Sequence, residues 1–271
     1  MRAPAPAKIN LALVVGPARD DGKHELVTVY QRIGLADRIE LEQADSFRVD
    51  GFLADTLVRA ALESLAAHAG IEPRWRVQIE KRLPVAAGLG GGSSDAATAL
   101  RLANATLPEP LPTPELHALA ATLGADVPFF LADGPQLGTG DGTELAPVDV
   151  PQDFWILLVL PYDAAKHSTA SVYADFDARD GAAGFDERCA ALHDALAQLR
   201  RPRDLAALPA NDLASSPLTS ELRTLGAFRA DVSGAGPAVY GLFHHKPDAQ
   251  AAEHALKRVA RTWITTPAWY G

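Results

Sequence analysis

Alternating and continuous apolar residues mark the first strands of the chain. In Trp75–Glu80 every second residue is apolar, and Ile9–Val15 is apolar apart from Asn10. Because successive side chains of a strand point to opposite faces, alternation is typical of a strand with one covered face, and an apolar run of a buried strand. Both segments are therefore predicted to be β-strands.

Apolar residues at helical spacing follow each strand. They recur three or four positions apart in two sets: Leu57, Val58, Ala61, Leu62 and Leu65, then Ala96, Ala99, Leu100 and Ala103. This spacing places each set on one face of an amphipathic helix. The first part of the chain is therefore predicted to mix strands with helices.

A connector over 146–151 precedes a second part with the same mixed pattern. Trp155–Leu160 is an apolar run that predicts a strand. The elements predicted after it are a helix over 188–199, a strand pair over 233–243, a helix over 248–261 and a strand over 263–266. The class predicted is α+β in two lobes, with domains at 1–150 and 151–271.

Composition narrows the partners that the protein can have. The chain has 271 residues and a net charge of −9, and its sequence shows no extended stripe of Lys and Arg. Neither nucleic acid nor an anionic membrane is therefore expected as a partner. Its one cysteine, Cys189, cannot form an intrachain disulfide, and no apolar run suits a signal peptide or a membrane span. We expect a soluble cytoplasmic protein, and the sequence leaves its oligomeric state open.

A glycine-rich segment, Gly88–Ser94, lies between the strand Trp75–Glu80 and the second helix. Glycines let the backbone approach a polyphosphate, and the start of a helix directs free N–H groups at an anion. A flexible linker or an ordinary helix cap is the alternative, but a linker does not suit a loop held between a strand and a helix. The segment lacks the Gly-Lys-Ser/Thr ending of a Walker loop and the spacing of a dinucleotide fingerprint, which excludes a dehydrogenase.

Three motifs in order, Pro6–Leu11, Pro84–Ser94 and Ser233–Pro237, resemble the galactokinase, homoserine kinase, mevalonate kinase and phosphomevalonate kinase (GHMP) superfamily. Within it, Asp21–Leu26 and Leu123–Phe130 are similar to the kinases that act on 4-diphosphocytidyl-2-C-methyl-D-erythritol in the non-mevalonate isoprenoid route. The resemblance covers residue 6 to about residue 245. It implies a two-lobed kinase with its active site in the cleft between the lobes, an ATP-binding N-terminal domain and a C-terminal GHMP-kinase domain.

The resemblance also implies the catalytic residues. Asp126 matches the general base that accepts the hydroxyl proton, and Lys8 matches its partner. Phosphoryl transfer needs little from a protein beyond positioning, charge stabilisation and such a proton acceptor. Without the resemblance, Asp126 suits a helix N-cap before Pro128, and Lys8 suits a solvated lysine.

Binding residues are implied in the same way. His24 and Asn10 match positions that contact the cytidine, and Tyr173 matches a position that stacks on the cytosine, whereas Lys23 stands where relatives carry a second stacking aromatic ring. The residues that match the ATP site are Lys81, Pro84, Val85, Ala86, Ala87, Gly88, Leu89, Gly90, Gly91, Gly92, Ser93 and Ser94. ATP with Mg²⁺ is the implied cofactor. No metal ligand is assigned, because a carboxylate at Asp95 is favoured by the helix dipole alone.

Two other functions stay open. The first is another GHMP kinase, acting on homoserine, mevalonate or a sugar. His24 and the segment Gly124–Pro128 favour the cytidyl substrate. The second is a catalytically silent nucleotide-binding sensor on the same fold, which is expected to lack Lys8 or Asp126, whereas both residues are present.

Overall fold

Strands and helices are mixed along the whole computed structural model, which describes residues 1–164 and 168–268. The strands are β1 Arg2–Ala18, β2 His24–Gln43, β3 Arg48–Asp50, β4 Trp75–Glu80, β5 Gln136–Thr139, β6 Glu144–Pro147, β7 Trp155–Pro161, β8 Arg229–Val232, β9 Val239–Phe243 and β10 Ala260–Thr265. The helices are α1 Leu57–His68, α2 Gly91–Asn104, α3 Thr113–Leu123, α4 Thr169–Ala178, α5 Phe185–Gln198, α6 Pro217–Thr224 and α7 Lys246–Leu256. Short 3₁₀ turns cover Pro128–Phe130 and Pro202–Ala207. The α+β class is confirmed.

Two compact units make up the chain, and their segments interleave along the sequence. Unit 1 contains Met1–Ala7, Leu35–Val85 and Gly90–Asp133, and unit 2 contains Lys8–Gly34, Ala86–Leu89 and the chain from Gly134 onward. The long strands β1 and β2 each contribute residues to both units. A division into domains at residue 150 stays a prediction.

Unit 1 buries the apolar faces that the sequence pattern predicts. The second half of β2 pairs antiparallel with β4, and β3 runs parallel to β4. Along β4 the apolar residues are buried and the polar ones exposed, as the alternation requires. Helix α1 packs on α2 and α3 through its buried face. Helix α2 begins at Gly91, so its first turn is formed by the second half of the glycine segment Gly88–Ser94.

Unit 2 contains a second, four-stranded antiparallel sheet with the strand order β10-β7-β9-β8. Helices α6 and α7 pack on it through a cluster that includes Leu157, Leu222 and Phe243. The first half of β2 pairs with β5, and β5 pairs with β6. A smaller cluster joins β1 and β2 to α4 through Leu13, Leu26 and Phe176.

The structure corrects two predicted elements of unit 2. The strand pair predicted over 233–243 is in fact β8 and β9 around a loop over 233–238, where Gly234 and Gly236 adopt positive φ angles of 56° and 76°. Positive φ interrupts a strand. The helix predicted over 248–261 ends at Leu256, because Ala260 already pairs with Pro161 as the start of β10.

Candidate functional site

Gly88 lies where two glycine-containing loops of unit 2 meet. A Cβ at this position would lie 2.1 Å from the carbonyl oxygen of Ser233, and the φ of Gly88 is +80°. The Ser233 hydroxyl donates to the Gly88 carbonyl at 2.9 Å, and Ala238 N–H donates to the Ala87 carbonyl at 3.1 Å. The second and third sequence motifs therefore contact each other through their backbones, and only glycine fits at position 88.

In unit 1, helix α2 begins directly after Gly90, which has a φ of 68°. Ser94 and Asp95 lie in its first turns and are buried. The Ser94 hydroxyl and Asp95 Oδ1 have no hydrogen-bond partner within the described part of the chain. Native proteins seldom bury polar atoms unpaired, and the exceptions often mark a site for a missing ion or ligand. The start of α2 therefore has the character of a binding site.

A buried cluster of charged side chains includes Asp95 from the start of this helix. Lys81 Nζ donates to Asp95 Oδ2 at 2.8 Å and also to Asp37. Asp37 Oδ1 accepts the backbone N–H groups of Arg82 and Leu83 at 2.5 and 2.8 Å. One cation thus faces two carboxylates, and the second carboxylate fixes the segment that leads into the glycine loop.

Burial sets the protonation of this cluster. It raises the pKa of Asp95 to about 7, and the charge of Asp37 adds to this effect while Lys81 opposes it. Burial alone would lower the pKa of Lys81, but the two carboxylates outweigh it, and that pKa lies above its ordinary value. The lysine predicted to lie near the nucleotide therefore carries its charge and holds Asp95 in place.

Lys8 begins a buried row of hydrogen bonds between β1 and β2. Its Nζ donates to Asn10 Oδ1 at 2.6 Å, and Asn10 Nδ2 donates to Thr28 Oγ1 at 2.8 Å. Lys8 is only 3% exposed, so it is not a solvated surface lysine. A Cβ on Gly234 would lie 3.3 Å from Lys8 Nζ, so the third glycine motif also reaches this row. A buried ammonium acts in a low dielectric, which strengthens its effect on nearby charge.

Asp126 follows the end of α3 in unit 1. Val127, rather than Asp126, occupies the N-cap position of the short turn Pro128–Phe130. The alternative interpretation of Asp126 as the cap before Pro128 is therefore wrong. Its role as a general base stays a prediction.

His24 and Tyr173, two residues predicted to bind cytidine, lie together in unit 2. His24 is the first residue of β2, and its ring centroid lies 4.7 Å from that of Tyr173 and 5.9 Å from that of Phe176 on α4. His24 Nε2 donates to Asp177 Oδ1 at 2.8 Å. Since Tyr173 and Asp177 are four residues apart on one helix, both face the same ring.

Lys23, at the expected second stacking position, forms an ion pair with Asp141. Burial alone would raise the pKa of Asp141, but hydrogen bonds from Lys23 and Thr143 outweigh it, and the pKa lies below its ordinary value. A lysine held in this way is not a substitute for an aromatic ring.

The predicted site residues thus form separate clusters within the two units. Lys8 joins Asn10 and His24 joins Tyr173 in unit 2, whereas Lys81, Ser94 and Asp126 belong to unit 1. Sequence reasoning missed Asp37, Asp141 and Asp177. A signal existed for Asp37, which takes an inward position in the alternation Ile33, Leu35, Asp37, Ile39, Leu41.

No metal cluster made of three or more His, Cys, Asp or Glu side chains exists among residues 1–164 and 168–268. In the same residues, no helix is both long and apolar enough to cross a membrane.

Both parts of the chain match models of one enzyme family. Residues 56–134 match the model described as GHMP kinases N terminal domain, and residues 191–262 match the one described as GHMP kinases C terminal. The first match contains α2 and Asp126, and the second contains the loop over 233–238.

Individual relatives extend this similarity over nearly the whole chain. A protein of Salinispora arenicola (strain CNS-205) named 4-diphosphocytidyl-2-C-methyl-D-erythritol kinase is 38% identical over 96% of this chain and 90% of its own length. A protein of the same name from Chlorobium chlorochromatii (strain CaD3) is 35% identical over 98% of this chain and 96% of its own length.

Solved structures agree with this similarity. A crystal structure of 4-(cytidine 5'-diphospho)-2C-methyl-D-erythritol kinase has a TM-score of 0.77 and 33% identity, covering 99% of this chain and 100% of that one. Methanococcus jannaschii mevalonate kinase has a TM-score of 0.77 at 14% identity, covering 99% of this chain and 98% of that one. At that identity the likeness concerns the fold alone.

Proposed function

Because the chain belongs to the GHMP kinase family, we propose that it phosphorylates the 2-hydroxyl of 4-diphosphocytidyl-2-C-methyl-D-erythritol with ATP. Family membership itself makes the protein an ATP-dependent phosphotransferase acting on a small-molecule alcohol. The observation that carries the choice of substrate is the ring pair of His24 and Tyr173. Such a pair suits a pyrimidine base, which homoserine, mevalonate and galactose lack.

In this proposal, Asp126 and Lys8 have different roles in the phosphoryl transfer. Asp126 accepts the proton of the attacking hydroxyl, and Lys8 stabilises the negative charge that develops as the oxygen attacks phosphorus. The hydrogen bond from Lys8 to Asn10 supports this role, because it orients a buried ammonium before substrate arrives.

The glycine segment and the start of α2 bind the phosphates of ATP. Free N–H groups at a helix start attract the anion. Ser94 Oγ and Asp95 Oδ1, which have no partner among the residues that the structure describes, suit a magnesium ion that arrives with the nucleotide, because hard cations prefer oxygen ligands. When bound, the ion offsets phosphate charge. Lys81 assists by holding Asp95 Oδ2, which leaves Oδ1 available.

A cytoplasmic location belongs to the same proposal. A single cysteine suits a reducing compartment, and such a compartment supplies ATP.

A coupled assay of ADP release tests the proposed substrate. The purified protein receives Mg²⁺ and ATP with 4-diphosphocytidyl-2-C-methyl-D-erythritol, mevalonate, homoserine or galactose in parallel. We expect turnover with the cytidyl substrate alone. Better turnover of another alcohol would assign the protein to a different branch of the family, and no turnover of any would favour a silent sensor.

A further inference from the structure

A carboxylate on α4 holds the ring of His24, although the two residues are far apart in the sequence. Asp177 Oδ1 lies 2.8 Å from His24 Nε2 and is separated from it by 153 residues. The His24 side chain is 9% exposed and that of Asp177 is 55% exposed. The contact therefore fixes a nearly buried imidazole from the solvent side.

Nearby cations have other partners. Lys23 pairs with Asp141. Arg179, the C-cap residue directly after α4, donates to the backbone carbonyls of Asp212 and Leu213. The partner of the Asp177 carboxylate is thus His24.

The chemistry of this pair determines which ring nitrogen carries the proton. An ionised carboxylate only accepts hydrogen bonds, so Nε2 must be the donor. In the neutral imidazole, Nδ1 then has no proton and is an acceptor. No hydrogen bond to Nδ1 is made within the described part of the chain. Tyr173 and Phe176 hold the plane of the ring, so the direction of this acceptor is fixed.

We propose that Asp177 is a positioning residue that keeps His24 Nδ1 an acceptor and thereby selects a pyrimidine with a 4-amino group over one with a 4-oxo group. This inference rests on the proposed cytidyl substrate. Cytosine offers an N–H donor at position 4, whereas uracil offers an oxygen that would face the lone pair of Nδ1. A site built to hydrogen-bond one group rejects an analogue that leaves its polar atoms unpaired.

The test compares two substrates and three variants. The cytidyl substrate and its uridine counterpart are assayed with Asp177→Ala, Asp177→Asn and Asp175→Ala. Asp175 is a matched control, because it is an exposed carboxylate on the same helix, and residues two positions apart on a helix do not face the same neighbour. The tautomer of His24 is read separately from its ¹⁵N chemical shifts.

Loss of the Asp177 carboxylate should weaken the preference for cytosine over uracil and leave the phosphoryl-transfer step unchanged. We expect Asp177→Ala to raise KM for the cytidyl substrate about tenfold and to lower the cytidyl-to-uridyl ratio of kcat/KM about tenfold or more. The values of kcat and of KM for ATP should stay unchanged. Asp177→Asn, whose amide can offer an N–H to the ring, should lower the ratio as well, and His24 should lose its single Nε2–H tautomer in both variants. Asp175→Ala should behave as the wild type.

Failure of this inference differs from failure of the proposed function. If the wild type does not phosphorylate the cytidyl substrate, the proposed function is wrong. If it does, but both Asp177 variants keep the wild-type ratio and tautomer, the inference about Asp177 is overturned. Equal losses with both bases would overturn it too, because they would indicate a structural role.

Discussion

Among single residues, Ser94 is one whose substitution should affect folding stability and ATP binding in different ways. Within residues 1–164 and 168–268 its buried hydroxyl has no hydrogen-bond partner, so burying it costs desolvation that no hydrogen bond offsets. We expect Ser94→Ala to leave the free energy of unfolding unchanged or to raise it by up to about 1 kcal/mol. The same variant should raise KM for ATP about tenfold, because the hydroxyl gains a partner only with the nucleotide. Denaturant unfolding and initial rates measure the two effects. A less stable variant with unchanged ATP kinetics would assign Ser94 to packing.

Asp126 is the second residue whose role a single substitution tests. Asn has the same shape but cannot accept the hydroxyl proton, so Asp126→Asn should lower kcat by about 10²–10⁴. ATP affinity, measured by calorimetry, should be retained. A loss below about tenfold would remove Asp126 from the proton transfer.

Among the secondary-structure elements, helix α2 carries a buried carboxylate, Asp95, near its N-terminus, and the charge of this carboxylate depends on pH. The pKa of Asp95 is raised to about 7 in the folded protein, above the ordinary value of 3.8. The folded state therefore binds more protons than the unfolded state between these values, and stability falls as pH rises from about 4 to 7. Lys81, whose pKa is also raised, loses its proton only above this window.

A comparison with Asp95→Asn isolates this effect. Between pH 5 and pH 8, the wild type should lose on the order of 2 kcal/mol more free energy of unfolding than Asp95→Asn, which has no carboxyl proton to lose. Urea unfolding at the two pH values measures the difference. Equal losses would show that Asp95 is already ionised at pH 5.

The contact between the loop at Gly88 and the loop over 233–238 also depends on the packing of whole elements. Gly88→Ala places a Cβ 2.1 Å from the Ser233 carbonyl, whereas Gly70, with a similar φ of +66°, has nothing within 4 Å of that position. Gly70→Ala should thus cost only the left-handed strain of about 1–2 kcal/mol, and Gly88→Ala about 3 kcal/mol or more. Thermal unfolding of both variants compares them. Equal costs would mean that the loops separate easily.

For the whole molecule, the local hydrophobic pattern predicted the secondary-structure elements better than the tertiary contacts between them. The alternation of Trp75–Glu80 and the face of α1 predicted β4 and α1, because burial imposes those periods. The clusters at the site join residues distant in sequence, such as His24 with Asp177, and no local period encodes such a pair. The resemblance to a kinase family predicted that the residues of the glycine loop and His24 bind ligands. It did not indicate that Lys23 pairs with Asp141, because that partner lies 118 residues away.

In the proposed reaction, this chain moves the γ-phosphoryl group of ATP to a tertiary hydroxyl of a cytidyl-linked alcohol. Proton-coupled ³¹P NMR of the reaction mixture tests it most directly, because a phosphate on a tertiary carbon has no proton three bonds away. We predict one new phosphate monoester signal without that splitting, beside an intact diphosphate and released ADP. A monoester signal split by carbinol protons would mean that another hydroxyl is phosphorylated, and ADP release without a new monoester would mean that no phosphoryl group reaches the substrate.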